Sequence, residues 1–376
     1  MDFTVHHKCS RYRARVAEIG TRRGAFETPV FMPVGTQGSV KSLTPEELKE
    51  VGVRILLANT YHLYLRPGHK VIEKLGGLHA FMKWDGPILT DSGGYQVFSL
   101  SQLRTVSDEG VLFRSHLDGS RHFIGPKDAM AIQEALGGDI IMTFDECVPY
   151  PADYEYVKQS VKRTTRWARI CLESKSKKGQ TLFGIVQGGM YRDLREQSAL
   201  DLVDMEFEGY ALGGLSVGEG RETRNRVIRE TIGLLPEKKP VYLMGVGMPE
   251  DIIDAVSLGV DMFDCVLPTR NARNGTLFTG AGRMSIRNAR YLDDDRPIDE
   301  ACGCYTCSRF SRAYLRHLYM ARELLSYRLN SIHNIYYYMR LMERIRCAIK
   351  EDKLKEFRDA FLASQRNGLE HSLEEH

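Results

Sequence analysis

The sequence predicts an α/β protein, a (β/α)8 TIM barrel with an inserted β-hairpin region and a zinc-binding insertion near the C-terminus. Two observations favour the barrel: eight short apolar segments recur along the chain, and helix-like stretches lie between several of them. A third observation disfavours the alternative, a doubly wound open sheet, because no glycine-rich phosphate fingerprint follows the first segment.

The predicted strands are apolar segments, each ending in Gly, Asp, Asn or Pro. In chain order they cover residues 29–34, 54–59, 87–90, 139–144, 182–186, 210–212, 241–244 and 260–263. The first predicted helix begins at Thr44, where Pro45 and Glu47 form a pattern typical of a capping box. The other helices cover residues 126–136, 154–172, 193–205, 222–235 and 249–258.

Two stretches interrupt this alternation. Residues 99–123 are polar and contain glycines, which predicts an inserted hairpin. Residues 271–334 contain a cysteine cluster, which predicts a zinc-binding insertion. The chain is therefore expected to consist of a barrel region (1–270), that insertion, C-terminal helices completing the barrel (335–365) and a flexible tail (366–376).

The composition is typical of a soluble globular protein. The chain has 376 residues, of which 43% are hydrophobic and 27% charged, and this excludes disorder as the main state. No apolar run approaches the ~18 residues of a membrane span, and the N-terminal residues lack the apolar core of a secretory signal. We therefore expect a cytoplasmic protein with no membrane partner.

The charge is unevenly distributed. The formal net charge is +3, yet 15 basic and 7 acidic residues lie between Val266 and Lys350. A basic C-terminal third suggests a docking face for a polyanion. On charge alone, a solvated helical surface is an equally good interpretation.

Three of the eight cysteines form a tight cluster, Cys302, Cys304 and Cys307. In a cytosolic chain such a cluster indicates a metal site rather than disulfides. Three thiolates and one imidazole suit tetrahedral Zn²⁺ in a closed structural site. His333 is the favoured fourth ligand by spacing, and His317 on the intervening helix-like stretch competes with it.

Three predicted strands each deliver an aspartate to the end where barrel chemistry occurs: Asp91, Asp145 and Asp264. Any one of them could simply cap a turn or a helix. Three carboxylates on one rim favour displacement at an acetal-like carbon, in which one carboxylate attacks and another moves protons. The apolar neighbours of Asp264 are consistent with a partly desolvated nucleophile.

The residues near these aspartates suit a flat purine-like ligand. The pair Gly213 and Gly214 lets backbone N–H groups approach a ring closely, although a simple tight turn explains it as well. Gln187 offers an amide donor and acceptor. Tyr95 and Met244 could stack on the two faces of the ring, with core packing the alternative for Met244.

Taken together, these motifs resemble those of the bacterial tRNA-guanine transglycosylases, the queuine tRNA-ribosyltransferase family. The resemblance extends in order from about residue 3 to 362. It rests on the following motifs: Asp91-Ser-Gly-Gly-Tyr95-Gln96, Asp145-Glu-Cys147, Gln187-Gly-Gly189, Leu212-Gly-Gly-Leu-Ser-Val-Gly-Glu219, Phe263-Asp264-Cys-Val-Leu-Pro-Thr-Arg270-Asn-Ala-Arg273 and the Cys302, Cys304, Cys307 and His333 set.

The resemblance implies a specific reaction. The family exchanges the wobble guanine of tRNAs with GUN anticodons (those for Asp, Asn, His and Tyr) for a 7-deazaguanine, in queuosine biosynthesis. The bacterial branch inserts the aminomethyl precursor base. Asp264 would be the nucleophile that holds the RNA covalently, and Asp91 the general acid and base.

The resemblance also implies roles for the surrounding residues. Asp145, Gln187 and the N–H of Gly214 would read the purine edge, and Tyr95 and Met244 would stack on the ring. The Leu215 carbonyl, oriented by Glu219, would accept from the aminomethyl group, whose pocket end Leu215, Val217 and Cys147 would form. Tyr242 would orient Asp264, and Arg270 and Arg273 would contact the uridines flanking the wobble base.

Two further properties follow from the resemblance: His333 as the fourth ligand of one structural zinc per subunit, and a homodimer packed near the zinc insertion.

Two rival functions remain at this point. One is a glycoside hydrolase on the same barrel with water as acceptor, which the basic C-terminal third and the zinc insertion disfavour. The other is a non-catalytic zinc-dependent RNA-binding protein, which would not need Asp264 or Asp91.

Overall fold

A computed structural model describes residues 1–100 and 104–373, with side chains described for residues 1–99 and 104–365. The strands are β1 (Asp2–Lys8), β2 (Arg15–Thr21), β3 (Gly24–Thr28), β4 (Val30–Gly35), β5 (Leu56–Ala58), β6 (Ile88–Thr90), β7 (Arg104–Val106), β8 (Val111–Arg114), β9 (Arg121–Ile124), β10 (Ile140–Met142), β11 (Thr181–Val186), β12 (Gly209–Leu212), β13 (Val241–Leu243), β14 (Met262–Cys265), β15 (Thr276–Thr279) and β16 (Gly282–Ser285).

The α-helices alternate with many of these strands. They are α1 (Pro45–Glu50), α2 (Thr60–Leu65), α3 (His69–Lys74), α4 (Gly77–Met82), α5 (Gly94–Leu100), α6 (Pro126–Leu136), α7 (Tyr154–Ser174), α8 (Arg192–Val203), α9 (Arg221–Ile232), α10 (Pro249–Leu258), α11 (Leu267–Arg273), α12 (Tyr305–Arg309), α13 (Arg312–Met320), α14 (Leu324–Lys350) and α15 (Leu354–Leu373).

Eight parallel strands close into a barrel in the order β10-β11-β12-β13-β14-β4-β5-β6. Each of the eight predicted strands overlaps one of them, and the (β/α)8 prediction is confirmed. Alternate residues of the strands point inward, and a fully buried apolar cluster fills the interior, including Met32, Leu57, Ile185 and Met262. The carboxyl ends of all eight strands therefore share one rim.

An antiparallel sheet, β1-β2-β3, covers the other end of the barrel, and sequence analysis did not separate it from the barrel region. Ile19 and Phe26 from this sheet join the interior apolar cluster. Arg15 Nε donates to Asp261 Oδ1 at 2.9 Å, just before β14, and Arg22 Nε donates to Asp139 Oδ1 at 2.8 Å, just before β10. Because these bonds reach the starts of strands, the sheet closes the amino-terminal end and leaves the carboxyl end open.

The predicted hairpin insertion is a three-stranded antiparallel sheet, β7-β8-β9. Residues 101–103 of the predicted stretch lie outside the described residues. The inner face of this sheet packs on α2. The Tyr61 hydroxyl forms a hydrogen bond with His116 Nδ1 at 3.0 Å, and the centre of the Tyr61 ring lies 5.5 Å from that of Phe113. The insertion is thereby attached beside the open end of the barrel.

The region after β14 holds the β15-β16 hairpin and helices α12 and α13. Sequence analysis ended this insertion at residue 334, but α14 begins at Leu324 and continues through that boundary. Asn334, on α14, donates to the Pro268 and Thr276 carbonyls at 2.9 and 3.1 Å and accepts from the Phe278 N–H at 3.1 Å. One helix therefore belongs both to the metal-binding region and to the barrel, against which it packs at β4.

The backbone of α15 is helical to Leu373. This does not test the expected flexibility of the tail, whose last residues, 374–376, lie outside the described part of the chain. Across residues 1–100 and 104–373, no helix has the length and apolarity that crossing a membrane requires.

Candidate active site

A cavity of about 460 Å³ opens at the carboxyl ends of the barrel strands. Twelve of the residues proposed for catalysis or binding line it: Asp91, Tyr95, Asp145, Cys147, Gly213, Gly214, Leu215, Val217, Tyr242, Met244, Asp264 and Arg270. Gln187, Glu219 and Arg273 stand beside or behind this lining. Residues far apart in the sequence thus meet at one place.

Asp91 follows β6, is only 6% exposed, and accepts three hydrogen bonds through its carboxylate. Its Oδ2 accepts from Asn59 Nδ2 at 2.5 Å and from Gln96 Nε2 at 2.9 Å, and its Oδ1 accepts from the Thr60 N–H at 2.7 Å. Burial, with a smaller contribution from the charge of Asp264, raises the pKa of Asp91 to about 6 despite these hydrogen bonds. A carboxyl group with this pKa is present in both protonation states near neutral pH.

Asp264 lies in β14 and faces the same cavity. Its Oδ1 accepts from the Tyr242 hydroxyl at 2.6 Å and from the Gly245 N–H at 2.7 Å. Burial raises the pKa of Asp264, and these two hydrogen bonds oppose the rise. No residue in the described part of the chain donates to Oδ2. The two hydrogen bonds therefore orient the carboxylate through Oδ1 and leave Oδ2 free to face the cavity.

Asp145 follows β10, and its carboxylate differs from that of Asp264 because each of its two oxygens accepts a hydrogen bond. Its Oδ1 accepts from the Ser92 hydroxyl at 2.6 Å, and its Oδ2 accepts from Gln187 Nε2 at 2.7 Å. Burial raises the pKa of Asp145. Because each oxygen has one donor, the carboxylate keeps a fixed orientation at the cavity wall and retains free lone pairs for a ligand.

The Gly213–Gly214 backbone lies directly against the Gln187 amide. A Cβ atom placed on Gly213 would stand 2.5 Å from Gln187 Nε2, and one on Gly214 would stand 2.5 Å from Oε1. Gly214 also has a φ of +65°, a conformation that favours glycine. A larger residue at either position would displace the Gln187 amide from its hydrogen bond to Asp145, which gives a physical reason for the glycine pair.

Glu219 fixes the backbone that follows. Its Oε1 accepts from the Ser216 N–H at 2.5 Å, and its Oε2 accepts from the Val217 N–H at 2.9 Å. The Ser216 N–H belongs to the same planar peptide group as the Leu215 carbonyl, and in a trans peptide the two point in opposite directions. Glu219 therefore sets the direction of the Leu215 carbonyl at the cavity wall.

Tyr95, Met244 and Cys147 complete the lining. Tyr95 is 53% exposed on α5, so its ring is free to cover a ligand, while Met244 is partly buried against the barrel interior. Burial raises the pKa of the Cys147 thiol to about 12. Cys147 is thus a neutral, space-filling part of the wall at physiological pH.

The two arginines differ in exposure. Arg270 is exposed at the cavity mouth, whereas Arg273, one helical turn later on α11, donates to the Thr269 carbonyl at 3.1 Å and is partly buried. Burial, together with the charge of Arg270, lowers the pKa of Arg273. Both guanidinium groups belong to the short helix that follows Asp264.

The cysteine cluster forms a second site, away from the cavity. The ligand atoms of Cys302, Cys304, Cys307 and His333 all lie within 4.8 Å of one another. His333 Nδ1 lies 3.6, 3.6 and 3.3 Å from the three sulfur atoms, and tetrahedral Zn²⁺ would place sulfur and nitrogen ligands roughly 3.5 Å apart. His333 Nε2 faces the Phe278 carbonyl at 2.7 Å, an outer contact that orients metal-bound imidazoles. The cluster can hold a metal ion, and the competing His317 is exposed and outside it.

Sequence analysis missed Asn59, Ser92, Gln96 and Gly245, which hold the three aspartates through the hydrogen bonds described above. Asn59 follows a predicted strand in the same way as the aspartates do, so its position at a strand end was an available signal. Gly245 acts through its backbone N–H, a group that nearly every residue has, so its position in the sequence gives no sign of this role.

Comparison with known proteins agrees with this geometry. A model of the family described as queuine tRNA-ribosyltransferase matches residues 9–367. Proteins of that name from Halothermothrix orenii, Thermoanaerobacter sp. strain X514 and Bacillus licheniformis are 58%, 60% and 58% identical to this chain. The aligned parts cover 98%, 94% and 94% of this chain and 98%, 95% and 93% of those proteins. The resemblance in the motifs is confirmed, and the chain belongs to the queuine tRNA-ribosyltransferase family.

Proposed function

We propose that this protein is a pentosyltransferase that exchanges the wobble guanine of tRNAs with GUN anticodons for 7-aminomethyl-7-deazaguanine, in queuosine biosynthesis. One observation carries the proposal: Asp91 and Asp264 reach a single cavity from strands β6 and β14, which stand apart with β4 and β5 between them. The carboxylates thus have room for a ribose and a base, and family membership supports the same reaction.

The first half of the reaction uses the cavity-facing oxygen of Asp264. This oxygen attacks C1′ of the ribose and forms a C1′–O bond, while the C1′–N9 bond breaks and its electron pair leaves with guanine. Protonated Asp91 supplies the proton that neutralises the departing base. Tyr242 and Gly245 keep Asp264 oriented by bonding only its other oxygen.

The second half reverses these steps with a different base. Asp91, now ionised, takes the N9 proton of the incoming base, and N9 attacks C1′ as the bond to Asp264 breaks. A pKa of about 6 suits a group that must both give and take a proton. Two displacements give overall retention and ping-pong kinetics, and the net exchange of one N-glycosidic bond for another needs no nucleotide energy source.

Base recognition follows from the fixed polar groups of the wall. Asp145, Gln187 and the Gly214 N–H would bind the purine edge, and the Leu215 carbonyl held by Glu219 would accept from the aminomethyl group. Tyr95 and Met244 would cover the two faces of the ring. Val217 would close the pocket beyond the aminomethyl group together with Leu215 and Cys147, so we propose the small precursor rather than queuine as the base.

The RNA must enter with its target nucleotide turned out of the anticodon loop, because a stacked base cannot reach an enclosed pocket. Exposed Arg270 at the cavity mouth supports a contact with a neighbouring uridine. Arg273, three residues later on the same helix, is proposed for the uridine on the other side. The excess of basic residues after Val266 suits the RNA backbone.

The metal proposed for the cysteine cluster is one structural Zn²⁺ per subunit, bound by Cys302, Cys304, Cys307 and His333. Four protein ligands leave no open position for chemistry, so the ion would stabilise the region between β14 and α14.

We also propose a homodimer packed near this region. Four large apolar side chains in or next to this region, those of Leu292, Tyr305, Met320 and Leu324, are 68%, 54%, 56% and 80% exposed, and a partner subunit would remove them from water. A tRNA substrate and the absence of a membrane-crossing helix in the described residues fit the cytoplasm as the place of action.

The decisive experiment incubates the protein with unmodified tRNA and labelled guanine. Exchange predicts label in the tRNA and a protein–RNA band that survives denaturation. Release of guanine without incorporation would instead support a hydrolase with water as acceptor. Binding of tRNA with neither outcome would support a non-catalytic RNA-binding protein.

A further inference from the structure

A guanidinium group lies buried directly behind the wall proposed to hold the purine. Arg195, on α8, is 2% exposed. Its Nε donates to the Gly189 carbonyl at 2.9 Å, and its Nη1 donates to the Val186 carbonyl at 3.0 Å. Its Nη2 is buried, and within the described residues it has neither a hydrogen-bond partner nor a carboxylate at ion-pair distance.

The unpartnered Nη2 points to the glycine pair. A Cβ atom placed on Gly214 would stand 3.6 Å from Arg195 Nη2. The same position is 2.5 Å from Gln187 Oε1, another buried atom without a partner. The guanidinium therefore lies close behind the Gly214 backbone, whose N–H is proposed to bind the purine, with the Gln187 amide beside it.

This group remains charged. Burial lowers the pKa of Arg195 to about 10, which still leaves it protonated at neutral pH. The nearby Cys147 does not neutralise it, because burial raises the pKa of that thiol to about 12. Burying a charge without a direct ion pair costs free energy. The charge of the Glu219 carboxylate acts on the guanidinium from a longer range and offsets part of this cost.

We propose that Arg195 is a positioning residue whose charge stabilises, through the Gly214 peptide, the negative charge on the purine while its N9 is unbonded. The inference rests on the proposed exchange reaction. In the first half, the electron pair of the C1′–N9 bond passes to guanine; in the second, the N9 proton passes to Asp91 before the new bond forms. In both halves the negative charge spreads over the ring toward the atom that the Gly214 N–H binds.

The expected size follows from distance. An atom that accepts from the Gly214 N–H lies no more than about 9 Å from Nη2. At that distance and an effective dielectric constant of about 20, a unit charge changes an equilibrium or a rate by about 20-fold. Arg195 contacts no substrate, and its effect should appear in kcat more than in the KM for the base, which binds neutral.

The test compares Arg195→Gln, which removes the charge and keeps an amide donor, with Arg195→Lys, which keeps the charge. Arg224→Gln is the matched control, because Arg224 is a buried arginine on the neighbouring helix α9 that pairs with Asp251 instead. For each variant the second half is measured alone, as release of the preformed covalent RNA by guanine or by a 7-deazaguanine bearing a cyano group at C7, which makes the N9 proton more acidic and its anion more stable.

We expect Arg195→Gln to lower the maximal rate of this release about 20-fold with guanine and clearly less with the cyano base. Arg195→Lys should retain most of the rate, and Arg224→Gln should leave the rate with either base unchanged. Equal losses with both bases, or a loss confined to KM, would overturn the inference and leave Arg195 as a packing residue. Exchange by the unaltered protein tests the proposed function separately, so its absence would refute that function and not merely this residue's role.

If Arg195→Gln does not fold, the ultraviolet absorption of the cyano base bound to the unaltered protein and to Arg195→Lys is titrated with pH. The inference requires the N9 proton of the bound base to be more acidic than that of the free base in both proteins. An unchanged or weaker acidity would overturn it.

Discussion

Replacing Val217 with glycine tests how the proposed active site selects its base. Val217 is partly buried and lines the cavity of about 460 Å³, and it also lines a neighbouring cavity of about 170 Å³. Val148, Tyr150 and Tyr191 form part of the second cavity. Val217→Gly removes the branched side chain between the two spaces and gives a base with a larger substituent room to extend.

Queuine carries a cyclopentenediol on its aminomethyl nitrogen, and the Val217 side chain would occupy part of the space that this ring needs. Forcing extra atoms into filled space costs about 1–3 kcal/mol, a factor of roughly 5 to 150 in kcat/KM. We expect Val217→Gly to recover queuine use by this factor. The loss of a half-buried side chain and the added backbone freedom should destabilise the fold by about 2 kcal/mol.

The assay measures incorporation of queuine and of 7-aminomethyl-7-deazaguanine into unmodified tRNA. Glycine retains the backbone N–H that donates to Glu219, so use of the smaller base should persist in the variant. Val217→Thr is the control, because it keeps the branched shape and should still reject queuine. Guanine exchange by each variant reports on correct folding.

Two results would refute this reasoning. If the unaltered protein incorporates queuine as readily as the precursor, Val217 does not exclude the larger base. If Val217→Gly gains no queuine use while its guanine exchange is normal, another part of the wall limits the pocket.

Four other predictions concern the remaining groups. Asp264→Asn should fold normally but lose exchange by at least about a thousand-fold, with no denaturation-resistant RNA band; a band of normal intensity would place the nucleophile elsewhere, with Asp91 the first candidate. Release of the covalent RNA by an added base, measured in a single turnover, should slow as the pH falls below about 6, because Asp91 must be ionised to accept the proton; a rate that is flat between pH 5 and 7 (a window spanning about one unit on each side of that pKa) would contradict this role. His333→Ala should reduce bound zinc and the thermal stability of the metal-binding region, and stoichiometric zinc after replacement of all three cysteines would show that the ligand set is wrong. Arg270→Ala and Arg273→Ala should each raise the KM for tRNA about tenfold with little effect on the KM for the base, and tRNA binding should weaken with salt more than base binding does; equal losses for both substrates would mean that these arginines support the pocket instead.

The burial of Asp91 also affects stability. Its pKa in the folded protein, about 6, lies above the value near 3.8 of an exposed aspartate, so the folded state binds more protons between these values. The free energy of unfolding should therefore fall as the pH rises from about 4 to 6 through this group alone. Asp91→Asn should remove that contribution, which urea unfolding of the two proteins across this pH range would measure.

Local patterns in the sequence were sufficient for the barrel and for the position of three aspartates at one of its rims. A parallel strand is short and apolar and ends in a polar turn, so Asp91, Asp145 and Asp264 could be placed on one rim without any contact being known. The spacing of Cys302, Cys304 and Cys307 likewise predicts a metal site, because thiols this close in the sequence must also lie close together in space. These features depend on residues within a few positions of one another.

What only the tertiary structure decided depends on contacts between distant segments. His333 and His317 are both helical, and only the packing of α14 brings Nδ1 of the former to within 3.3–3.6 Å of the three sulfurs. Asn59 and Gly245 hold the Asp91 and Asp264 carboxylates from other strands, and Arg195 approaches the Gly214 backbone from behind. The pKa of Asp91 also depends on burial that its own sequence neighbours do not supply. Desolvation and hydrogen bonding are properties of the assembled environment, and for that reason a linear pattern can name a carboxylate but cannot state how it will ionise.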